Sequence, residues 1–393
     1  AWGANFSSTN QKVFNSTSGQ IHREYAPLLK TASADSPRFE FATDGQSEGL
    51  LIESQAENLQ TYGSDFSRWN RNRVTTTSNV AIAPNGLLEA DIVIANTSST
   101  QSHNLSNTST LASGTTYTAS VYAKDAGQRY IQLSGSTGAF GSSQYATFDL
   151  QTGSVDTTGV TASAVSVGNG WWRIQATMTA TASVTGGASI GLANSATSSR
   201  LPLFVGNEYD GLLLWGSQLE TGSAASSLVD TGTGSSQLSR AADSCSVVDA
   251  SLFDNGGGTI YAEASRNGLD TYNGIASVDD GSGSNIVQIF GNSNNFRAEI
   301  GSGGTTVANM MASGHSAGAY YKHCVAYSPS EAKYYVDGSQ KGSTDTDLNI
   351  PLMSQMHFGM LNATTTGNLN GHIKRVALYN VALSDTELAA LTS

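Results

Sequence analysis

Charge is the scarcest ingredient of this sequence: Asp, Glu, Lys and Arg together make up 13% of its 393 residues, about half the usual share for a soluble protein. Lys and Arg number 19 against 31 Asp and Glu, leaving a formal net charge of −12. Affinity for duplex nucleic acid comes mainly from basic side chains that neutralise phosphates. The bases here are scattered, with pairs such as Lys374-Arg375 and no cluster, so neither nucleic acid nor an anionic membrane is an expected partner. Cysteine is limited to Cys245 and Cys324, too few for a metal-ligand cluster or a disulfide framework. Two buried free thiols are the expected state, with a single bridge as the alternative. No apolar run approaches the roughly 20 residues of a membrane-spanning helix, so no membrane insertion is expected. The start, Ala1-Trp2-Gly3, shows no basic stretch followed by an apolar one, so no secretory signal is expected.

What the sequence has is glycine (42 residues), much Ser and Thr, and 5 Trp, 15 Tyr and 12 Phe. That aromatic stock argues against disorder. Tyr117, Ala119, Val121 and Ala123 alternate with polar residues, as do Trp172, Ile174, Ala176 and Met178. This period of two marks half-buried antiparallel strands. Leu212, Leu213, Leu214 and Trp215 are apolar on both faces, which predicts a strand covered on both sides. The one clear helix signal is the capping box Ser384-Asp385-Thr386-Glu387 before Leu388. Many short strands and one short C-terminal helix predict an all-β protein with two jelly-roll β-sandwiches in tandem. The aperiodic residues 1–62 read as an extended N-terminal arm, 63–222 as the first sandwich, the small polar stretch 223–247 as a linker and 248–393 as the second sandwich.

Pro37-Arg38-Phe39, Gly49-Leu50-Leu51-Ile52-Glu53, Asn58-Leu59, Tyr62, Asp65-Phe66 and Trp69 follow one another in a set order. Ala83-Pro84-Asn85-Gly86, Tyr117–Lys124, the stretch Val167–Arg173, Leu214–Glu220 and Arg240-Ala241-Ala242-Asp243 continue it. This set resembles a module of tailed-bacteriophage and prophage structural proteins, especially tail fibres and spikes, over roughly residues 35–245. The family has a longer Arg-containing stretch before its P-R-F motif than this chain. Tyr321–Tyr327, Lys333–Gly338 and Gly371–Asn380 with Ala382-Leu383-Ser384 resemble the concanavalin A-like, laminin-G-type sandwich. The resemblance implies a virion structural protein (a tail- or head-fibre or spike component) on the extracellular particle surface, associated with other virion proteins and working as a homotrimer. It also implies binding to host cell-surface polysaccharide.

Candidate site residues follow from the chemistry each role needs. Sugar binding uses aromatic platforms, and Trp69, Tyr130 and Trp171 in the first sandwich and Tyr272, Tyr321 and Tyr334 in the second are the candidates. Trp172 joins the apolar set of its strand, so Trp171 is expected to face outward. A depolymerase, the alternative function, would be a glycosidase with two carboxylates, for which Glu208 and Asp210 are the nearest match. A lyase would instead draw on His323, Tyr321, Arg297, Gln288 and His372; His323 and Tyr321, two apart in a strand, share a face. In every case the bland reading, a turn carboxylate or a packed histidine, stands beside the catalytic one. A decoration protein with no ligand is the second alternative. No cofactor is required, although calcium is a candidate because hard oxygen ligands suit it. Asp279, Asp280 and Asn285 would hold it, with Asp254-Asn255-Gly256 as a second such loop.

Overall fold

The computed structural model describes residues 2–5, 14–15, 20–23, 29–33, 35–42, 45–97, 100–253, 256–346, 348–350, 352–362 and 367–393, with backbone alone for 2–23 and 271. The protein is built almost wholly of antiparallel strands in two compact units, 56–240 with 20–31, and 241–393 with 1–19 and 32–55.

The 56–240 unit is a sandwich of two six-stranded sheets. One sheet runs Thr161–Gly168, Trp171–Thr179, Thr116–Ala126, Gly211–Thr221, Leu88–Ala95, Val74–Ile82. The other runs Val155–Thr158, Tyr145–Asp149, Tyr130–Gly135, Ala188–Ala193, Asn104–Ser106, Asn70–Asn72. Alternation decides what meets between them: Val121, Ala123, Ile174, Leu212 and Leu214 pack with Ile131, Leu133, Phe148, Ile190 and Leu192. Gly211–Thr221 is covered on both faces, as its sequence predicts. Trp215 faces a second cluster with Tyr122, Trp171, Leu29 and Leu228.

The second unit packs a sheet containing Ser339–Thr346, Glu331–Val336, Tyr320–Tyr327, Gly258–Arg266, Gly371–Tyr379, Ser47–Ile52 and Phe39–Phe41 against one centred on Thr271–Asp279, Ile286–Asn292 and Asn295–Ser302. The helix Asp385–Thr392 starts at the expected capping box. Its Leu388 packs with Tyr261, Cys324, Tyr335 and Ala377. Both cysteines are free and buried, as expected, and burial pushes each thiol up to about 12.

Two expected boundaries are corrected. Within the supposed arm, Phe39–Phe41 and Ser47–Ile52 are strands of the second sandwich, paired at Gly371–Tyr379. Leu50, Leu51 and Ile52 are all buried, so the run shows no period because both its faces are covered. Within the supposed linker, 223–240 belongs to the first unit. Leu228 is fully buried there and Ser226 donates to Glu220 through both its backbone N and its hydroxyl. Small polar residues at these positions satisfy buried acceptors, which composition alone reads as flexibility. The second sandwich is therefore discontinuous in sequence, with the first inserted between residues 55 and 241.

Candidate functional site

The motif residues behind the phage resemblance turn out to be framework. Arg38 of P-R-F forms ion pairs with Glu53 of G-L-L-I-E and with Asp243, and all three are essentially unexposed. The backbone N of Glu53 also donates to Asp243 Oδ2 at 2.8 Å, and the Asp243 N to the Glu53 carbonyl at 2.9 Å. Burial lowers the Arg38 guanidinium's proton affinity, but the two carboxylates outweigh it and hold the pKa above its ordinary value. In the first unit, Asn58 bridges the carbonyls of Ser217 (3.0 Å) and Val229 (2.9 Å). The Trp69 indole donates to the Tyr62 carbonyl at 3.0 Å, and that of Trp172 to Leu150 at 2.7 Å. Arg173 reaches the Ser226 carbonyl at 2.5 Å and stacks over Tyr122.

Three expected platforms are withdrawn by burial: Trp69 is 4% exposed, Trp171 3% and Tyr334 0%. Trp172 does face the main core, but the outer face of its sheet is itself covered, so Trp171 packs with Val167, Trp215 and Leu228. Tyr272 is 56% exposed and stacks on Phe290 with centroids 5.8 Å apart. Tyr130 is half-buried beneath Arg129, itself paired to Asp149. Tyr321 is half-buried against Phe296 and His315.

The catalytic candidates are dispersed. Glu208 and Asp210 lie in the turn before strand Gly211–Thr221, where Asp210 pairs with Asn207 (2.5 Å) and Glu208 with Thr97 (3.3 Å). Tyr321 and His323 do share a face, with both rings against Phe296. That face is the core: His323 is 0% exposed, stacks on Tyr334 and bonds its hydroxyl at 2.9 Å. Burial, helped by His315 and Arg266, lowers the His323 imidazole to about 3. Arg297 alternates with core-facing Phe296 and Ala298 and so points to the other side of its sheet. The guanidinium that reaches this cluster is Arg266, 4.5 Å above Phe296. Gln288 donates to Glu299 at 3.3 Å.

The calcium candidates are engaged in their own loop. The buried Asp279 accepts from Gln355 (2.5 Å), Gly281 N (2.9 Å) and His357 (3.1 Å). Burial pulls its pKa up, but these bonds outweigh it and keep the carboxylate below its usual range. Asp280 accepts from Ser282 and from the Asn285 amide, so Asn285 turns a donor toward it rather than an oxygen. Asp254 and Asn255 lie outside the described residues.

A cleft of about 340 Å³ in the first unit gathers residues to which the sequence assigns no site role, Asp65 of the motif series among them. Its floor is Asp91, unexposed, which accepts from the backbone N of Phe66 (2.9 Å) and of Asn79 (3.0 Å) and from the Ser78 hydroxyl (3.2 Å). Burial raises the Asp91 carboxyl above its ordinary value. The pairing of Val74–Ile82 with Leu88–Ala95 shifts register here and Asn79 takes a φ of +58°, a bulge that turns Ser78 and Asn79 to the cleft. The 3-10 turn Phe66–Arg68, capped by Asp65, forms one wall. Arg68 stands 67% exposed at its end, 3.8 Å from Asp65. Arg71 and Thr233 complete the lining. Two guanidiniums, two carboxylates, hydroxyls and an amide give a charge-balanced surface rich in donors and acceptors. The volume falls within the usual range of roughly 300–1,000 Å³ for small-molecule sites. In sequence only Asp65 is marked, within the Asp65-Phe66 motif, and nothing local joins it to Ser78, Asn79 and Asp91.

Both units thus belong to the class of jelly-roll β-sandwiches. Residues 239–389 match the family described as the concanavalin A-like lectin/glucanases superfamily, of laminin G type, so the C-terminal sandwich is a concanavalin A-like domain. Among solved structures the chain is similar to the CBM40 module of the Ruminococcus gnavus IT-sialidase, with 15% identity and a TM-score of 0.32 over 38% of this chain and 93% of that one. It is also similar to domain 4 of AbnA, a GH43 extracellular arabinanase from Geobacillus stearothermophilus solved with arabinotriose, with 14% identity and a TM-score of 0.32 over 39% of this chain and 73% of that one. No curated protein matches the chain.

Proposed function

We propose that this protein is a glycan-binding structural component of a bacteriophage virion, a tail-fibre, head-fibre or spike subunit that contacts host cell-surface polysaccharide. The observation that carries the binding role is the cleft over Asp91. Sugars present alternating hydroxyl donors and acceptors, and Arg68, Arg71, Ser78, Asn79, Asp65 and Asp91 offer complementary groups in which two guanidiniums face two carboxylates. A concanavalin A-like domain in the same chain supports the reading. The virion role, the particle-surface location and a homotrimer rest on the resemblance of the motif series, whose members form the framework of both sandwiches. Three weak sites on a trimer would gain about 10²–10⁴ in apparent affinity from avidity. Calcium, if used, would serve the Asp279-Asp280 loop of the second sandwich.

The test is a glycan array followed by titration of the best bacterial polysaccharide fragment. Arg71→Ala and Ser78→Ala are expected to weaken binding about tenfold each while the circular dichroism spectrum stays native. Unchanged binding in both folded variants would move the site elsewhere, with Tyr272 the next surface to vary. Release of reducing ends or of unsaturated uronate would show the depolymerase alternative instead. Particle co-purification with neither property would show a decoration protein.

A further inference from the structure

The second sandwich carries a cluster around His372, one of the lyase candidates, that the proposed glycan-binding role does not use. Strands Phe39–Phe41, Ser47–Ile52 and Gly371–Tyr379 are neighbours at one edge of their sheet. Pairing runs Phe39 to Leu50 and Glu40 to Gly49, then jumps to Phe41 opposite Ser47, leaving Glu48 as the extra residue of a bulge. Gly49 holds the bulge at φ +96°, and a Cβ there would lie 2.3 Å from the Ile373 carbonyl oxygen. Simple alternation would send Glu48 to the core side with Leu50 and Ile52. The bulge sends it instead to His372: Glu48 Oε2 is 4.0 Å and Glu40 Oε2 2.8 Å from His372 Nε2. One imidazole nitrogen and two carboxylate oxygens lie within 4.8 Å of one another.

We propose that Glu40, Glu48 and His372 form a binding site for a divalent transition-metal cation, with Zn²⁺ its best fit. Around tetrahedral zinc, with bonds of about 2.0–2.2 Å, ligand atoms stand about 3.4 Å apart. The two distances measured from His372, 2.8 and 4.0 Å, bracket that value. The chemistry of the donors selects the metal. Calcium and magnesium favour all-oxygen shells, whereas a mixed imidazole-carboxylate set suits zinc and its neighbours. The side chains of His372, Glu40 and Glu48 are 9%, 15% and 28% exposed, so the cation would be fixed on a rigid sheet with a solvent-facing position left for water or a ligand oxygen.

The experiment uses the untagged full chain, stripped with EDTA and titrated with ZnCl₂ by calorimetry, with Co²⁺ as a spectroscopic probe. Saturable 1:1 binding is expected, together with a visible Co²⁺ absorption band of low-coordinate type. His372→Ala and Glu40→Gln should weaken Zn²⁺ binding at least tenfold, Glu48→Gln less, and millimolar Ca²⁺ should not compete. Absence of a saturable site, or wild-type Zn²⁺ affinity in a variant with a native circular dichroism spectrum, would overturn the proposal. Should His372→Ala not fold, the more exposed Glu48→Gln and the wild-type Co²⁺ spectrum decide: an octahedral, near-colourless Co²⁺ complex or an unaffected Glu48→Gln variant sinks it. Glycan titration of the same samples keeps this result separate from that of the Asp91 cleft.

Discussion

His323 illustrates how a residue typical of active sites becomes a stability element. Its ring is sealed between Phe296 and Tyr334, and its Nε2 meets no hydrogen-bond partner among the described residues. Burial lowers its pKa from 6.5 to about 3. Because the folded value is depressed, the unfolded chain takes up the proton first as pH falls below 6.5. Stability from the neutral ring is therefore complete above that pH and is lost progressively toward pH 3, at up to about 1.4 kcal/mol per pH unit. His315 shifts in the same direction, also through burial. Urea unfolding of the second sandwich at pH 7 and pH 5 should show a marked loss for the wild type and a clearly smaller one for His323→Phe. Equal losses in both would place the acid sensitivity elsewhere. The sequence told that Tyr321 and His323 share a face; it could not tell that this face was the sealed one. Both a core and a catalytic groove accept alternating aromatics, and only the opposing sheet distinguishes them.

Among the elements, the strand Trp171–Thr179 and the clamp of Arg38, Glu53 and Asp243 show two ways in which a local pattern is completed from afar. Alternation placed Trp172 correctly, yet the opposite face is covered by Leu228 and Val167, and nothing within the strand announces that cover. Trp171→Ala should accordingly destabilise the first sandwich by about 3–5 kcal/mol, read as a lowered unfolding midpoint, rather than weaken glycan binding of a folded protein. The clamp joins residues 190 and 205 positions apart. Arg38→Met removes the guanidinium that pairs with both buried carboxylates, a loss expected to cost about 3–5 kcal/mol. The triple variant Arg38→Met, Glu53→Leu, Asp243→Leu removes the stranded charge and should recover part of that loss. A triple variant no more stable than Arg38→Met would count against an electrostatic origin.

For the whole molecule, the proposed homotrimer has its own measurement: light scattering should give three times the 40.8 kDa chain mass. Val80, Ile82, Leu87 and Leu88 form an exposed apolar end of the hairpin joining Val74–Ile82 to Leu88–Ala95, at 43–58% exposure. If this edge is the contact, Ile82→Asp with Leu88→Asp should yield monomers, and a wild-type monomer would remove the trimer outright. Sequence by itself determined the all-β class, the strand faces and the capped terminal helix, because each follows from a short-range period or an i to i+3 contact that neighbouring residues specify. Tertiary structure alone decided the discontinuous second sandwich, the burial of Trp69, Trp171 and Tyr334, and the meetings of Asp65 with Asp91 and of Glu40 with His372. Those outcomes depend on pairings between strands tens to hundreds of residues apart, and a periodic pattern fixes which side of a strand is apolar without fixing what will lie against it.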